Sequence, residues 1–557
     1  HRSQDMGTLQ SLGSRRGGLI WLSGEAANEP TAIFDGVDTD LMAIAELLPS
    51  ASVRSLARAR LREISSLATE ARRSLAPMEA SASAPALAQI VVGIDTLIEQ
   101  IEGLESDTVR TVVTDLLREK LRIASVALAA AAGVAVDATA ARETIALGDR
   151  IPVTTTLWNS GDSEVTVLQA RLSCRPGWEA SGATEVEPEA NSGLQQWRFE
   201  VTALEEAGPS RPYFLAQPLD GDLYQWEVAP ERDRGEPLGR PPLTAIFDLE
   251  VLGATIQIER EVVYRERSQA DGEVRRPLRS VPRVEVSLEP AMLLWPLGGS
   301  GEREVEVVVR SHGQDPIAGR LELRSSAGWP AAGQRDIVIT EAFGQQILRF
   351  IVGAADSHPH GRVDFTAIAV LNDGREFAAS YPVISYPHIR PMTMPIAARL
   401  DIHRLDLDLP PVERLGYIRG ASDRVPETLI EIGLPVELLD AAALRTADLG
   451  IYDAIVVGSR AYETDPVLAE ANSRLIDYVR QGGLLLVQYQ QYQFARGSYA
   501  PASLAIGRPH GRVTDETAAV IVLEPGHRVF RYPNRISEAD WQNWVQERGL
   551  YFASEWD

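Results

Sequence analysis

The chain has 557 residues, of which 45% are hydrophobic and 24% charged, a composition typical of a folded protein with several domains. Its formal net charge is -24, and because a polyanion repels phosphate backbones, no nucleic acid partner is expected. Cys174 is the only cysteine, so neither an intramolecular disulfide nor a thiolate metal cluster can form. The longest apolar run, 123–136, is shorter than the roughly 20 residues of a membrane-spanning helix, so no transmembrane segment is expected.

The first 133 residues divide into two parts. Residues 1–36 contain short apolar pieces that are typical of the end of an upstream domain, and residues 37–133 are predicted to be a helical spacer. Three apolar stretches with three- and four-residue steps indicate one buried face each. Their residues are Leu56, Leu61, Ile64, Leu67 and Leu75; then Leu87, Ile90, Val91, Ile94, Leu97, Ile98 and Ile101; then Val109, Val112, Leu116 and Ile123.

Residues 134–281 and 282–394 are predicted to form two β-sandwich domains, because short alternating segments are separated by Gly and Pro turns. Gly177-Trp178 recurs as Gly328-Trp329, and Arg198-Phe199 recurs as Arg349-Phe350, each 151 residues later. The segments 155–161 and 307–313 match at an offset of 152. This common spacing indicates a duplicated domain. We expect each Trp to anchor a core, and the glycine that closes each segment to adopt a positive φ.

Residues 395–557 alternate between predicted strands and helices, which indicates a doubly wound, flavodoxin-like α/β domain with a parallel sheet. The strands are predicted at 414–418, 435–439, 453–458 and 482–489, with a helix at 466–480. Ligands of such sheets bind at the carboxyl ends of the strands. The candidate ligand-binding residues at those ends are Arg419, Ser422, Ser459, Arg460, Tyr462, Tyr489 and Gln490.

Two interpretations of these residues stay open. Arg419 and Arg460 are suited to pair with an anionic group, and Tyr462, Tyr489 and Tyr492 are suited to stack on a sugar. Alternatively, all of these side chains only cap strands and satisfy loops.

No metal or catalytic site is complete in the sequence. His358 and His360 have no further metal ligands nearby and are interpreted as a surface loop, and residues 401–408 as a polar linker. An amidotransferase triad needs a nucleophilic Cys on a strand-to-helix turn, where this chain has Gln488 and Tyr489. Ser459 lacks the G-x-S-x-G context of a nucleophile. His510 and His527 have no partner nucleophile.

Three blocks together are similar to one known architecture. His1, Ser3 and Gln4 form a His-x-Ser-Gln element, the two sandwiches resemble NEW3-type domains, and the segment from Ile418 to Tyr492 resembles a class I glutamine-amidotransferase-like domain without its nucleophilic Cys. This combination resembles the C-terminal portion of long bacterial PIG-L/LmbE-like deacetylases.

The resemblance implies that residues 1–36 are the tail of a zinc-dependent catalytic domain that removes the acetyl group from an N-acetyl sugar. Its zinc would be held upstream by a His-Pro-Asp-Asp-Glu motif that this chain does not contain, so no cofactor is expected here.

The expected function is therefore that of an accessory, non-catalytic region that binds glycan or positions substrate. A hydrolase activity of the α/β domain itself, and a structural envelope role, stay open as alternatives. A homo-oligomer also stays open, and the resemblance favours a periplasmic or secreted location.

Overall fold

A computed structural model of the chain describes residues 38–556, without 77–78, 104–106, 187–192, 222, 228–229, 231–232, 298–301, 326–331, 354–360, 387, 510, 516 and 543–548. The chain divides into two units. Unit 1 comprises His1–Pro282 with Ile384–Met392, and unit 2 comprises Arg283–Val383 with Thr393–Asp557. The element at His1, Ser3 and Gln4 lies outside the described residues.

Unit 1 begins with the helices α1 (Ala43–Glu46), α2 (Ala51–Ser74), α3 (Ala84–Glu102) and α4 (Asp107–Ala131). Helix α2 begins after Ser50, whose side chain accepts a hydrogen bond from the Val53 amide and so caps the helix. Helix α3 buries the predicted face, including Ile90, Ile94 and Leu97. By length and composition the stretch Ala80–Glu102 could cross a bilayer, but 50% of its most apolar window is buried, and α3 packs between α2 and α4 as a core helix does.

The apolar face predicted for α4 is wrong. Val112, Leu116 and Ile123 are 51%, 40% and 49% exposed, whereas their neighbours Val113 and Leu117 are buried. Adjacent apolar residues offer a helix two alternative faces that are about 100° apart, and packing against the rest of the unit selects one. Two residues predicted for the face of α2 are likewise exposed, namely Leu56 and Leu75.

The first β-sandwich follows the helices. Its strands are β1 (Val134–Ala140), β2 (Thr144–Ala146), β3 (Arg150–Asn159), β4 (Val165–Cys174), β5 (Trp178–Ala180), β6 (Thr184–Val186), β7 (Leu194–Ala203), β8 (Leu243–Val251), β9 (Ala254–Glu261), β10 (Val263–Ser268), β11 (Gly272–Pro277) and β12 (Arg279–Val281). One sheet has the order β11-β10-β1-β3-β7-β5, with β6 paired to β7, and the other has the order β4-β8-β9. The short strands β2 and β12 pair in parallel.

The helices and this sandwich share one hydrophobic core, which includes Ile44 of α1, Leu97 of α3 and Phe247 of β8. Helices α3 and α4 contact β9, and α4 also contacts β1. The helical segment predicted as a spacer is therefore a layer of the sandwich unit, because its apolar faces are buried against the strands.

The second sandwich lies in unit 2. The next strands along the chain are β13 (Val284–Glu289), β14 (Met292–Pro296), β15 (Glu302–Ser311), β16 (Ile317–Ser325), β17 (Gln334–Ile339), β18 (Gln345–Gly353), β19 (Gly361–Leu371), β20 (Glu376–Phe377), β21 (Ala379–Ser380), β22 (Val383–Ile384), β23 (Met392–Thr393), β24 (Ile396–Ala397) and β25 (Arg399–Leu405). The sheets β13-β15-β18 and β14-β25-β19-β16-β17 enclose a core that contains Trp295 and Phe365. Since β25 pairs with β14 and β19, this sandwich extends to Leu405 and does not end at residue 394.

Equivalent strands of the two sandwiches pair in the same register. Val153 of β3 lies opposite Phe199 of β7, and Val305 of β15 lies opposite Phe350 of β18. Both phenylalanines are buried. Val153 and Val305 are 152 residues apart, and Phe199 and Phe350 are 151 residues apart, which are the offsets of the sequence repeat. The repeated segments therefore occupy matching positions in the two sandwiches.

Of the predictions for the other repeated residues, one is confirmed and one is wrong. Trp178 is buried, as expected of a core anchor, and Gly328-Trp329 lies outside the described residues. The prediction of a positive φ at Gly161 and Gly313 is wrong. A Cβ on Gly161 would lie 2.1 Å from the carbonyl oxygen of Ala132, so the close approach of two chain segments excludes a side chain there.

The C-terminal part of unit 2 contains a parallel sheet. Its elements are β26 (Leu415–Ile418), α5 (Val425–Glu431), β27 (Val436–Leu438), α6 (Ala441–Thr446), β28 (Ala454–Val457), α7 (Ala461–Thr464), α8 (Pro466–Arg480), β29 (Leu484–Val487), α9 (Tyr492–Arg496), β30 (Leu504–Ile506), β31 (Arg512–Val513), β32 (Gly549–Leu550) and β33 (Ala553–Trp556). Strands β27-β26-β28-β29 pair in parallel in that order. Apolar residues of α6 and α8 cover one face of this sheet, and those of α5 pack on the other.

A buried carboxylate connects the strands of the first sandwich. Asp137 of β1 is 4% exposed and accepts hydrogen bonds from Arg275 at 2.7 and 2.8 Å and from Arg265 at 3.3 Å. Burial alone would raise the pKa of Asp137, but the hydrogen bonds and positive charge of Arg275, aided by the Ala138 amide and Arg265, hold it below its ordinary value of 3.8. A pKa lowered by folding stabilises the protein above the unfolded pKa, and this stabilisation is lost as the pH falls through the folded pKa.

We expect the substitution Asp137→Asn to lower the free energy of unfolding of unit 1 at neutral pH by about 2 kcal/mol, because the arginines lose a charged acceptor. The acid-dependent loss of stability should shrink as well. Calorimetric unfolding between neutral pH and pH about 2, which lies below the ordinary pKa of an aspartate, measures both effects.

The matched control is Glu273→Gln, which removes the exposed ion pair that Glu273 makes with the same Arg275 at 2.8 Å. Its effect should stay below about 0.5 kcal/mol, as is usual for exposed ion pairs. Equal losses in the two variants would contradict the role assigned to Asp137.

Candidate functional site

The carboxyl ends of β26 and β28 meet at one edge of the parallel sheet, where two loops touch each other. The Gly458 amide donates to the Ile418 carbonyl at 2.8 Å, and the Ala421 amide donates to the Ser459 carbonyl at 2.9 Å. A Cβ on Gly420 would lie 2.1 Å from the Ser459 carbonyl oxygen. Only glycine therefore permits this approach, and each loop satisfies backbone groups of the other.

Asp423 connects these loops through its carboxylate. Its Oδ2 atom accepts hydrogen bonds from the Tyr417 hydroxyl at 2.8 Å and from the Gly420 amide at 3.0 Å, and its Oδ1 atom accepts from the Val425 amide at 3.0 Å. The pKa of Tyr417 is raised well above its ordinary value by burial, and further by the hydrogen bond to Asp423. Tyr417 therefore stays a neutral donor that holds the carboxylate in place.

Two glutamines extend this network to the end of β29. The Gln488 side chain accepts from the Ser459 amide at 3.1 Å. The Gln490 side chain donates to the Gly458 carbonyl at 2.9 Å and accepts from the Tyr462 amide at 3.3 Å. Amide side chains thus occupy the strand-to-helix turn and bond to the neighbouring loop.

Both candidate arginines already have acidic partners. Arg419 donates to both carboxylate oxygens of Glu427 at 2.6 and 3.1 Å, and Arg460 donates to both oxygens of Glu463 at 2.8 Å. The hydrogen bond to its glutamate raises the pKa of each arginine. Both guanidinium groups are therefore already paired with a carboxylate, in contrast to the prediction that they bind an anionic ligand.

Tyr462 is a core residue of this domain. Its side chain is 6% exposed, its hydroxyl donates to Asn472 at 2.6 Å, and its ring stacks on Tyr499 with the ring centres 4.7 Å apart. The expectation that Tyr462 stacks on a sugar therefore does not fit its position. Ser422 lies in a left-handed turn with φ 53°, and Ser459 contributes its backbone groups to the loop contact.

The outer part of the edge is formed by three tyrosines. Tyr489 is 38% exposed, and its ring centre lies 6.1 Å from that of the half-buried Tyr551, which in turn lies 4.9 Å from that of the half-buried Tyr492. We call Tyr489, Tyr492 and Tyr551 the tyrosine surface. Arg508 lies against it, with its guanidinium carbon 4.6 Å from the Tyr492 ring centre.

Sequence reasoning missed Tyr551 and Arg508. Both lie in the C-terminal stretch, where the strands have only two to four residues and show no periodic pattern. The short pairs β30–β33 and β31–β32 bring this stretch back to the sheet edge, with Tyr551 directly after β32.

Among the described residues, no group of three or more His, Cys, Asp or Glu side chains could hold a metal ion. His358, His360 and His510 lie outside the described part of the chain. The segment predicted as a polar linker contributes Asp401 and His403 to β25.

Asp401 and the remaining candidates for chemistry have structural contacts. The carboxylate of Asp401 pairs with Arg362 at 2.7 Å and Arg399 at 2.8 Å. His527 accepts from the Val529 amide through its ring. Burial raises the pKa of the Cys174 thiol, which disfavours the reactive thiolate.

No protein-family model and no curated protein matches the chain. Among solved structures, the apo form of the Calx CBD1 domain is 19% identical, with 22% of this chain and 98% of that one covered and a TM-score of 0.15. A DUF4785 family protein from Legionella pneumophila is 13% identical, with 48% and 56% covered and a TM-score of 0.16. The D0-D1 domain of Intimin is 11% identical, with 43% and 94% covered and a TM-score of 0.14. Scores this low carry no argument about the fold of the whole chain or its function.

We expect Gly458→Ala to disrupt the loop network, because the new Cβ would lie 2.2 Å from the Asp423 Oδ2 atom and 2.5 Å from the Gly420 amide nitrogen. The C-terminal domain should lose about 1–3 kcal/mol of stability, as overpacked sites do. Tyr417 should also ionise at a lower pH once it is separated from Asp423. Thermal unfolding and an ultraviolet pH titration of the tyrosines measure these effects.

The matched control is Gly526→Ala in the same domain, where no heavy atom lies within 4 Å of the added Cβ. If the tyrosines of Gly458→Ala titrate as those of the control do, the added Cβ has not separated Tyr417 from Asp423, and the prediction is contradicted.

Proposed function

We propose that this chain is the accessory, non-catalytic region of a PIG-L/LmbE-like zinc-dependent deacetylase of N-acetyl sugars, and that its C-terminal α/β domain binds glycan. The observation that carries the glycan-binding part is the tyrosine surface at the carboxyl edge of the parallel sheet, where α/β domains bind their ligands. The link to a deacetylase rests on the sequence resemblance.

The tyrosine surface has the chemistry of a sugar platform. Ring faces contact the apolar C–H groups of a pyranose, and phenol hydroxyls exchange hydrogen bonds with its hydroxyl groups. Tyr551 is the central residue, since its ring contacts those of Tyr489 and Tyr492. Three rings in one cluster would provide contacts for more than one sugar unit.

The loops beneath the surface support binding more than catalysis. The Arg460 amide donates to the Tyr489 carbonyl at 2.8 Å, which ties the end of β29 to the loop after β28. The carboxylates of Asp423, Glu427 and Glu463 are all engaged by neighbouring donors. A general base needs a carboxylate or imidazole within reach of substrate, whereas a rigid platform needs its polar groups occupied in this way.

The zinc of the proposed parent enzyme does not fit any cluster among the described residues of this chain. In the proposal it belongs to the catalytic domain encoded upstream, where the resemblance places its ligands. The contribution of this chain would be to hold glycan near that domain.

Glycan binding is tested with chitotetraose as a probe of N-acetyl sugar chains. We expect Tyr489→Ala and Tyr551→Ala each to weaken binding by the 557-residue chain about tenfold, since one aromatic contact contributes about 1.4 kcal/mol. Isothermal titration calorimetry gives the dissociation constants. The control is Tyr532→Ala, because Tyr532 is 60% exposed but contacts Arg528 instead. Equal effects of all three substitutions would argue against the surface.

The parent enzyme is tested at the level of the gene. We expect the reading frame that encodes this chain to contain a His-Pro-Asp-Asp-Glu motif upstream of the His1 codon, within about 250 residues, the size of one domain. Sequencing of the upstream genomic DNA decides the matter. An open frame that starts close to His1 without the motif would remove the link to a deacetylase.

A further inference from the structure

Two arginines beside the tyrosine surface differ from Arg419 and Arg460 at the same edge. Arg496 ends α9 and Arg508 follows β30, and both are exposed. Their guanidinium carbons lie 5.9 Å and 4.6 Å from the Tyr492 ring centre. Within the described part of the chain neither forms an ion pair, in contrast to Arg419 and Arg460, which are each paired with a glutamate.

The Tyr492 ring positions both cations. It lies between the end of α9 and the turn after β30, and its hydroxyl donates to the Gly507 carbonyl at 3.3 Å. The Arg496 Nε atom donates to the Tyr492 carbonyl at 3.4 Å. Cation–π contact holds a guanidinium near an aromatic ring without neutralising its charge, so its N–H donors keep their affinity for anions.

The negative net charge of the whole chain does not determine what binds at these two arginines. With a formal net charge of -24, acidic side chains are abundant and could have supplied partners for both arginines. At physiological ionic strength charges are screened over about 8 Å, so the local pair of cations, and not the distant excess of acid, determines what binds at contact. An anionic group of a ligand would complete the site.

We propose that the tyrosine surface selects acidic sugars, with the carboxylate of a uronic acid unit paired to Arg496 and Arg508 and the neighbouring sugar rings lying against Tyr489 and Tyr551. This inference rests on the proposed glycan binding and adds the charge of the ligand to it. Guanidinium groups match the planar carboxylate of a uronic acid with two parallel hydrogen bonds, which suits them to a carboxylated sugar.

The test compares two probes of equal length on the full 557-residue chain by isothermal titration calorimetry, acidic tetragalacturonate and neutral chitotetraose. We expect tetragalacturonate to bind about tenfold more tightly, and more weakly as salt is added. Arg496→Gln and Arg508→Gln should each weaken tetragalacturonate binding about three- to tenfold and leave chitotetraose binding unchanged.

The control variant is Arg480→Gln. Arg480 is also exposed but pairs with Asp477 at the end of α8, which leads into the amino end of β29 and so lies away from the tyrosine surface. It should change neither affinity. Because all three arginines are exposed, the variants are expected to fold, and circular dichroism checks this.

The outcomes separate the two proposals. Equal affinity for both probes, or an acidic preference that survives in the Arg496→Gln/Arg508→Gln double variant, would overturn the selection of acidic sugars and leave glycan binding in place. Failure of the unmodified chain to bind either probe would overturn both proposals.

Discussion

The close approach of two loops at the carboxyl edge of the parallel sheet is the constraint on which the candidate site depends. Side chains at Gly420 or Gly458 would collide with the opposite loop, so the contact requires glycine at both positions. Once the loops touch, their amides and carbonyls bond to each other and to the carboxylate of Asp423. The tyrosine surface lies beside these hydrogen-bonded loops, an arrangement that would lower the entropic cost of the proposed ligand binding.

In the two sandwiches, one buried and one half-buried carboxylate are also paired with side chains of the same sandwich. Asp137 connects strands of the first sandwich through Arg275. In the second sandwich Glu285 lies 2.8 Å from the Nε2 atom of His312 and also accepts from the Tyr381 amide. Burial alone would raise the pKa of Glu285, but these partners lower it. The carboxylates of Asp137 and Glu285 therefore stabilise the folded sandwiches.

Arg496 and Arg508 differ from these paired side chains. Within the described residues they form no ion pair, and both guanidinium groups lie near the Tyr492 ring. An aromatic surface with local positive charge is suited to bind the acidic sugars proposed above.

The sequence alone determined the classes of element and their order, because periodicity and turn residues act locally. It predicted the buried face of α3, the parallel pairing of strands in the C-terminal domain and the repeat that places Phe199 and Phe350 at matching positions. Only the tertiary structure decided which face of α4 is buried, that β25 belongs to the second sandwich, and that Tyr462 is a core residue while Tyr551 joins the site. The physical reason is that these outcomes depend on contacts between residues far apart in the chain, and local patterns carry no information about such partners.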